Sequence, residues 1–176
     1  MKMKRLIIST FLIFFCLTVD AQKYIGKDGV ISFFSEAPLE NISAINHKVA
    51  AVYDAKTKEI VFHLYIEDFE FPIALMQEHF NENYLESDIF PKSTFVGKII
   101  ELKENIAYVE GDLNIHGQTN KIFANGKFVL EDKIVNISDV NFLLKLKDYK
   151  IKIPKIVLYK IAEVIEVKVD IKMKLQ

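Results

Sequence analysis

MQEHFNENYLESDIFPKSTFVG, residues 76–97, is the one part of the chain that does not read as simple strand. On either side of it, apolar and polar residues alternate with period two, as in strands that turn one face inward. Here the period changes. Ile73, Leu75, Met76, Phe80 and Tyr84 make one helical stripe, with Gln77, Glu78, Asn81, Glu82 and Asn83 on the other side. The pattern predicts a short amphipathic helix over about residues 73–83 that frays at its asparagines. Phe90-Pro91 then forbids helix, and period two resumes from Ser93 through Phe95, Gly97 and Ile99. The stretch is expected to lie as helix and turn at one end of a β-barrel.

Working outward, the clearest strand is the last. Ile165, Val167, Val169, Ile171, Met173 and Leu175 alternate with Glu166, Lys168, Asp170, Lys172 and Lys174. The same reading gives strands at Val30–Ser35, Ile42–Tyr53 and Glu59–Ile66, the last extended by Phe69 and Phe71 to Pro72. It continues with Ala107–His116, Lys121–Leu130 and Ile134–Lys147. Turns are expected at Asp28-Gly29, Asp54–Lys58, Lys103–Asn105, Gly117-Gln118 and Glu131–Lys133. Lys155–Ala162 reads as a loop or a single helical turn.

About eight strands with short connections, each with one apolar face, predict an all-β fold: an antiparallel eight-stranded barrel with a short helix near one mouth. Gly97, Gly111 and Gly126 fall mid-strand on the apolar faces, where glycine lets a barrel bend or leaves space inside. Eight strands enclose an interior that side chains can just fill, or that holds one small ligand. The pattern alone leaves both open.

The N-terminus reads as a targeting segment. Lys2, Lys4 and Arg5 precede the apolar run Leu6–Val19, and Val19-Asp20-Ala21 offers a cleavage point after Ala21 or Gln22. Residues 1–22 are therefore expected to be a signal peptide and 23–176 the barrel domain. The run is shorter than the roughly 20 residues of a spanning helix, and no integral membrane span is expected. Cys16, the only cysteine, follows the bulky Phe15, which argues against lipid attachment there. Without it the exported protein has no disulfide, thiolate metal site or cysteine nucleophile. Loss of three basic residues and one acidic residue leaves 20 basic against 23 acidic. That balance argues against a nucleic-acid partner. Fourteen Phe without any Trp point to an apolar interior with room to spare.

Catalytic signals are weak. His47, His63, His79 and His116 show no metal-ligand spacing. Glu78 and His79 are helix neighbours about 100° apart and do not face one another. His116, before Gly117, stands where a turn residue belongs. No phosphate loop, nucleophile elbow or dinucleotide fingerprint occurs, so neither enzyme nor cofactor is expected.

Three blocks together resemble the YceI-like family of exported, lipocalin-like barrels. They are EHFNENYLESDIFPKSTFVGKI (residues 78–99), GDLNIHGQTNKI (111–122) and DYKIKIP (148–154) with the alternating strand after it. The resemblance implies a periplasmic or secreted barrel that holds a polyisoprenoid or other hydrophobic, amphiphilic small molecule. The residues that would line it are Phe62, Leu64, Phe95, Ile99, Val109, Leu113, Phe128, Phe142, Val167 and Ile171. Ile73, Met76, His79 and Phe80 would face the opening from the helix. Many members carry Arg-Asp-x-His in that helix, where this chain has Met76-Gln77-Glu78-His79. If that Arg holds a charged head group, this chain takes a neutral lipid or no isoprenoid. The rival reading is an exported interaction module with a filled core, acting through its surface.

Overall fold

The computed structural model describes residues 22–39, 41–154 and 161–176. Among them, eight antiparallel strands close into one barrel, each pairing with its sequence neighbours and the first with the last. They are β1 (Lys23–Ser35), β2 (Ile42–Asp54), β3 (Glu59–Tyr65), β4 (Lys92–Lys103), β5 (Ile106–Ile115), β6 (Gln118–Glu131), β7 (Ile134–Lys145) and β8 (Val164–Leu175). Helix α1 (Ala74–His79) widens over Phe80–Tyr84 into a π turn, with Leu85 N–H donating to the Phe80 carbonyl at 2.9 Å. The expected barrel and helix are both present. The segment expected to carry the signal lies outside the described residues except for Gln22, as does most of 155–162.

Three hairpins close on two residues of positive φ: Glu104-Asn105, His116-Gly117 and Asp132-Lys133. Two successive left-handed residues give the hairpin turn whose twist matches that of the strands. Up-and-down connectivity sorts the remaining segments by end. Residues 36–39 and 41, 66–91, 116–117, 146–154 and 161–163 all belong to one mouth.

Several strand boundaries differ from the sequence reading; β6, for one, begins at Gln118 rather than Lys121. β1 begins at Lys23, and Asp28-Gly29 is a bulge within it rather than a turn before it. A Cβ on Gly29 would stand 2.7 Å from Ile171 Cδ1, so this glycine serves the close approach of β1 to a β8 side chain. β3 stops at Tyr65, whose carbonyl accepts from Asn46 Nδ2 at 3.0 Å. A 3₁₀ turn at Ile66–Asp68 follows, and Glu70 then pairs with Ile45 through bonds of 2.8 and 3.1 Å. β7 stops at Lys145, and Leu146–Tyr149 makes a second 3₁₀ turn.

The interior holds two apolar clusters along the barrel axis. One, towards the mouth, includes Ala44, Leu64, Leu113, Leu144 and Val167; the other includes Tyr24, Tyr53, Ile60, Phe128, Val135 and Met173. Phe62, Phe95 and Val140 pack against both and form the layer between them.

Tyr149, in the mouth-side cluster, is 3% exposed, and its buried hydroxyl has no hydrogen-bond partner among the described residues. Burial first, and the charge of Asp148 second, push its phenol up to about 12. The folded state therefore keeps a proton that the unfolded chain releases near pH 10. Stability from this group is complete below about pH 10 and is lost as pH rises towards 12. Tyr149→Phe is expected to raise stability by about 1 kcal/mol at neutral pH, because it removes an unpaired buried hydroxyl. It is also expected to flatten the decline in urea midpoint between pH 10 and 12. A midpoint lowered at neutral pH would show that the hydroxyl has a partner.

Candidate functional site

Above the Phe62–Phe95–Val140 layer the barrel is hollow. A cavity of about 480 Å³ opens at the mouth beneath α1. Its wall is built from alternate residues of several strands: Ile31 and Phe33 of β1, Leu64 of β3, Leu113 and Ile115 of β5, Phe142 and Leu144 of β7, and Ile165 and Val167 of β8. Ile73, Leu75, Met76, His79, Phe80, Tyr84 and Leu85 close in from the helical segment. Leu146, Ile151, Ile153 and Ile161 close in from the segment after β7.

The helical segment is held by rings. Phe80 stacks on Phe33 at 5.7 Å and lies 5.5 Å from Phe69 and 4.9 Å from Phe71. Such packed ring pairs each add about 0.5–1.5 kcal/mol beyond the area they bury. α1 itself buries no residue, has no side-chain N-cap, and leaves Ile73 and Leu75 half exposed. A six-residue helix with neither cap nor buried face belongs to the low-stability end of a fold.

Few polar groups meet the cavity: Ser35, Ser93, His79 and Tyr84. Ser35 Oγ accepts from Ala162 N–H at 2.9 Å, and Ser93 Oγ donates to the Asn114 carbonyl at 2.9 Å. Burial pushes the Tyr84 phenol up, which keeps it a neutral donor. No Lys, Arg, Asp or Glu is among the described residues of the lining. Among the described residues no cluster of three potential metal ligands occurs, and no helix is long and apolar enough to cross a membrane.

The expected lining residues divide by depth. Leu64, Leu113, Phe142 and Val167 line the cavity, as do Ile73, Met76, His79 and Phe80 at its opening. Phe62 and Phe95 lie in the layer beneath. Ile99, Phe128 and Ile171 belong to the filled far end, and Val109 packs against it. These six do not reach the cavity because the hollow stops halfway down the barrel. The sequence reading passed over Phe33, Phe69 and Phe71, since they pack from one strand and from a segment that leaves strand geometry at Ile66.

His116 does more than turn a hairpin. It is 9% exposed; Nδ1 donates to the Tyr149 carbonyl at 3.1 Å, and Nε2 lies 2.7 Å from Glu86 Oε2. Both partners, a backbone carbonyl and a carboxylate, are acceptors. Phe90 packs edge-on against the imidazole at 4.5 Å. One side chain thus ties the loop after the helix and the turn after β7 to the β5–β6 hairpin. His116→Ala is expected to cost about 2 kcal/mol, read as a lower urea midpoint, because two hydrogen bonds and a ring contact go together. An unchanged midpoint would show that the three mouth segments hold independently.

A family model described as YceI-like domain matches residues 27–175. No curated protein sequence matches significantly. Among solved structures, the chain is similar to a polyisoprenoid binding domain from Saccharophagus degradans implicated in plant cell wall breakdown. The identity is 12% and the TM-score 0.73, over 89% of this chain and 99% of that one. It is similar to Burkholderia cenocepacia BcnA at 13% identity and a TM-score of 0.72, over 82% of this chain and 95% of that one. It is also similar to the Campylobacter jejuni YCEI protein at 15% identity and a TM-score of 0.61, over 100% of this chain and 91% of that one. At these identities the structural likeness is one of fold. The family match spans nearly all of the described barrel, and the chain belongs to the YceI-like domain family.

Proposed function

We propose that the protein is a non-enzymatic binder and carrier of one isoprenoid-like or other amphiphilic lipid, acting in the periplasm. The observation that carries this reading is the hollow upper half of the barrel: about 480 Å³, walled by aliphatic and aromatic side chains and open at one end. A ligand cavity of that kind lies within the usual range of roughly 300–1,000 Å³. Water in it would find almost no partners, whereas an apolar tail gains about 0.8 kcal/mol per methylene buried. The binding activity in the name of the Saccharophagus domain supports the same ligand class.

The tail enters between strands and helix, and the head stays at the mouth near His79 and Tyr84. With Met76 at the opening and no charged side chain in the described lining, the head is uncharged. The sparsely anchored α1 is the element that yields for entry. Export rests on the basic and apolar run at Lys2–Val19. The rival module with a filled core is disfavoured by the cavity itself. The exposed Val96 and Phe123 of the barrel exterior stand among Lys98, Glu110 and Lys121 rather than in one apolar patch.

The test is lipid extraction and native mass spectrometry of protein purified from the periplasm. One lipid per chain is the expected result. Protein that carries no lipid, and takes up none when mixed with isoprenoid alcohols, would end this reading.

A further inference from the structure

We propose that the filled far end of the barrel sets an upper limit on ligand chain length, and that the ligand is a single chain of about 14–20 carbons rather than a long polyprenyl chain. This deepens the reading above and rests on it. The strands run 12 to 14 residues for β1, β2, β4, β6, β7 and β8, long enough for a cavity through the whole barrel. The hollow nevertheless ends at the level of Leu64, Leu113, Phe142 and Val167.

What stops it is side-chain volume. Tyr53 lies 5.1 Å from Phe128, edge to face, and 6.1 Å from Tyr24. Val135 and Met173 are fully buried beside them. Two glycines admit this filling. A Cβ on Gly26 would stand 2.9 Å from Met173 Cγ, and one on Gly29 would stand 2.7 Å from Ile171 Cδ1. β1 has given up side chains where β8 thrusts its own inward. Above this plug, the Phe62–Phe95–Val140 layer makes the floor.

A methylene takes about the room of one liquid water, roughly 30 Å³, so the cavity holds on the order of 16 carbons. Carbons beyond the limit remain in water and add no burial. Affinity is therefore expected to climb with length until the tail meets the floor, and then to level.

The experiment uses a series of uncharged isoprenoid alcohols of 10, 15, 20 and 45 carbons. Each competes with N-phenyl-1-naphthylamine for the intact barrel, and native mass spectrometry confirms stoichiometry. Affinity is expected to rise at least tenfold from 10 to 15 carbons, and to change less than tenfold from 15 to 20 and less than threefold from 20 to 45. A 45-carbon alcohol that binds more than tenfold tighter than the 20-carbon one overturns the limit while leaving lipid binding intact. If no member displaces the probe, lipid binding itself fails. Phe62→Ala and the milder Phe62→Leu, which open the floor towards the plug and are each checked for a cooperative unfolding transition, are expected to move the break to longer chains. A break that stays in place in whichever variant folds overturns the assignment of the limit to this floor.

Discussion

The double variant Leu113→Trp, Val167→Phe is expected to weaken lipid binding by about 200-fold while leaving the ligand-free barrel within about 1 kcal/mol of wild type. Leu113 and Val167 stand on β5 and β8, just above the floor, and both line the cavity. The two larger side chains add roughly the volume of four methylenes to the space a tail would occupy, worth about 3 kcal/mol of burial. Stability should hold, because the new atoms enter empty apolar space instead of a packed core. Filling a cavity recovers contacts that its lining lacked. The pairing of lost binding with retained stability separates ligand exclusion from general damage. Val96→Trp, on the exposed outer face of β4, is the control and should change neither. Competition binding and urea unfolding of all three proteins check the outcome. Wild-type affinity in the double variant would mean that the ligand sits elsewhere.

The barrel itself was legible because its signal is local. The alternation of Ile165–Leu175 is that of β8, and the helical stripe from Ile73 to Tyr84 is α1 with its π turn. In a strand, successive side chains face opposite ways, so inward and outward follow from parity alone. Depth does not. Leu64 and Ile60 have the same parity on β3, yet one lines the cavity and the other is in the plug. How far a hollow extends depends on which residues of eight strands share a level, and so on register shifts such as those at Gly26, Gly29 and Ile31. No window of sequence holds that information. Asp28-Gly29 misled for a related reason: the dipeptide suits a turn and a bulge equally, and only the partner strand decides. The role of His116 was hidden because its partners lie 30 and 33 residues away.

Gly111→Ala is expected to cost about 3 kcal/mol of stability, a large effect for one methyl group. Gly111 of β5 lies directly opposite Gly97 of β4, and the ring of Phe95 crosses both. A Cβ at Gly111 would stand 2.5 Å from Gly97 Cα and 2.5 Å from Phe95 Cζ. The ring can tip away; the Gly97 backbone is fixed by the β4–β5 ladder and can move only if pairing loosens. Phe95→Leu in the Gly111→Ala background should therefore recover only part of the loss, and the remainder measures the backbone contact. The urea midpoint should fall with the slope unchanged, since the surface exposed on unfolding stays the same. Gly117→Ala is the contrasting case. Its new methyl meets the edge of the Phe90 ring at 2.7 Å and a φ of +69°, at a hairpin tip where the neighbour is a side chain rather than backbone. A cost near 1 kcal/mol is expected there. The two glycines of the β4–β5 pair matter more because they seat the ring of the cavity floor. With a side chain at either position, Phe95 would have to rise into the space reserved for the ligand or fall into the plug. Binding should then weaken along with stability, in contrast to the cavity-filling variant. Equal stability of Gly111→Ala and wild type would show that the floor is not seated on this glycine pair.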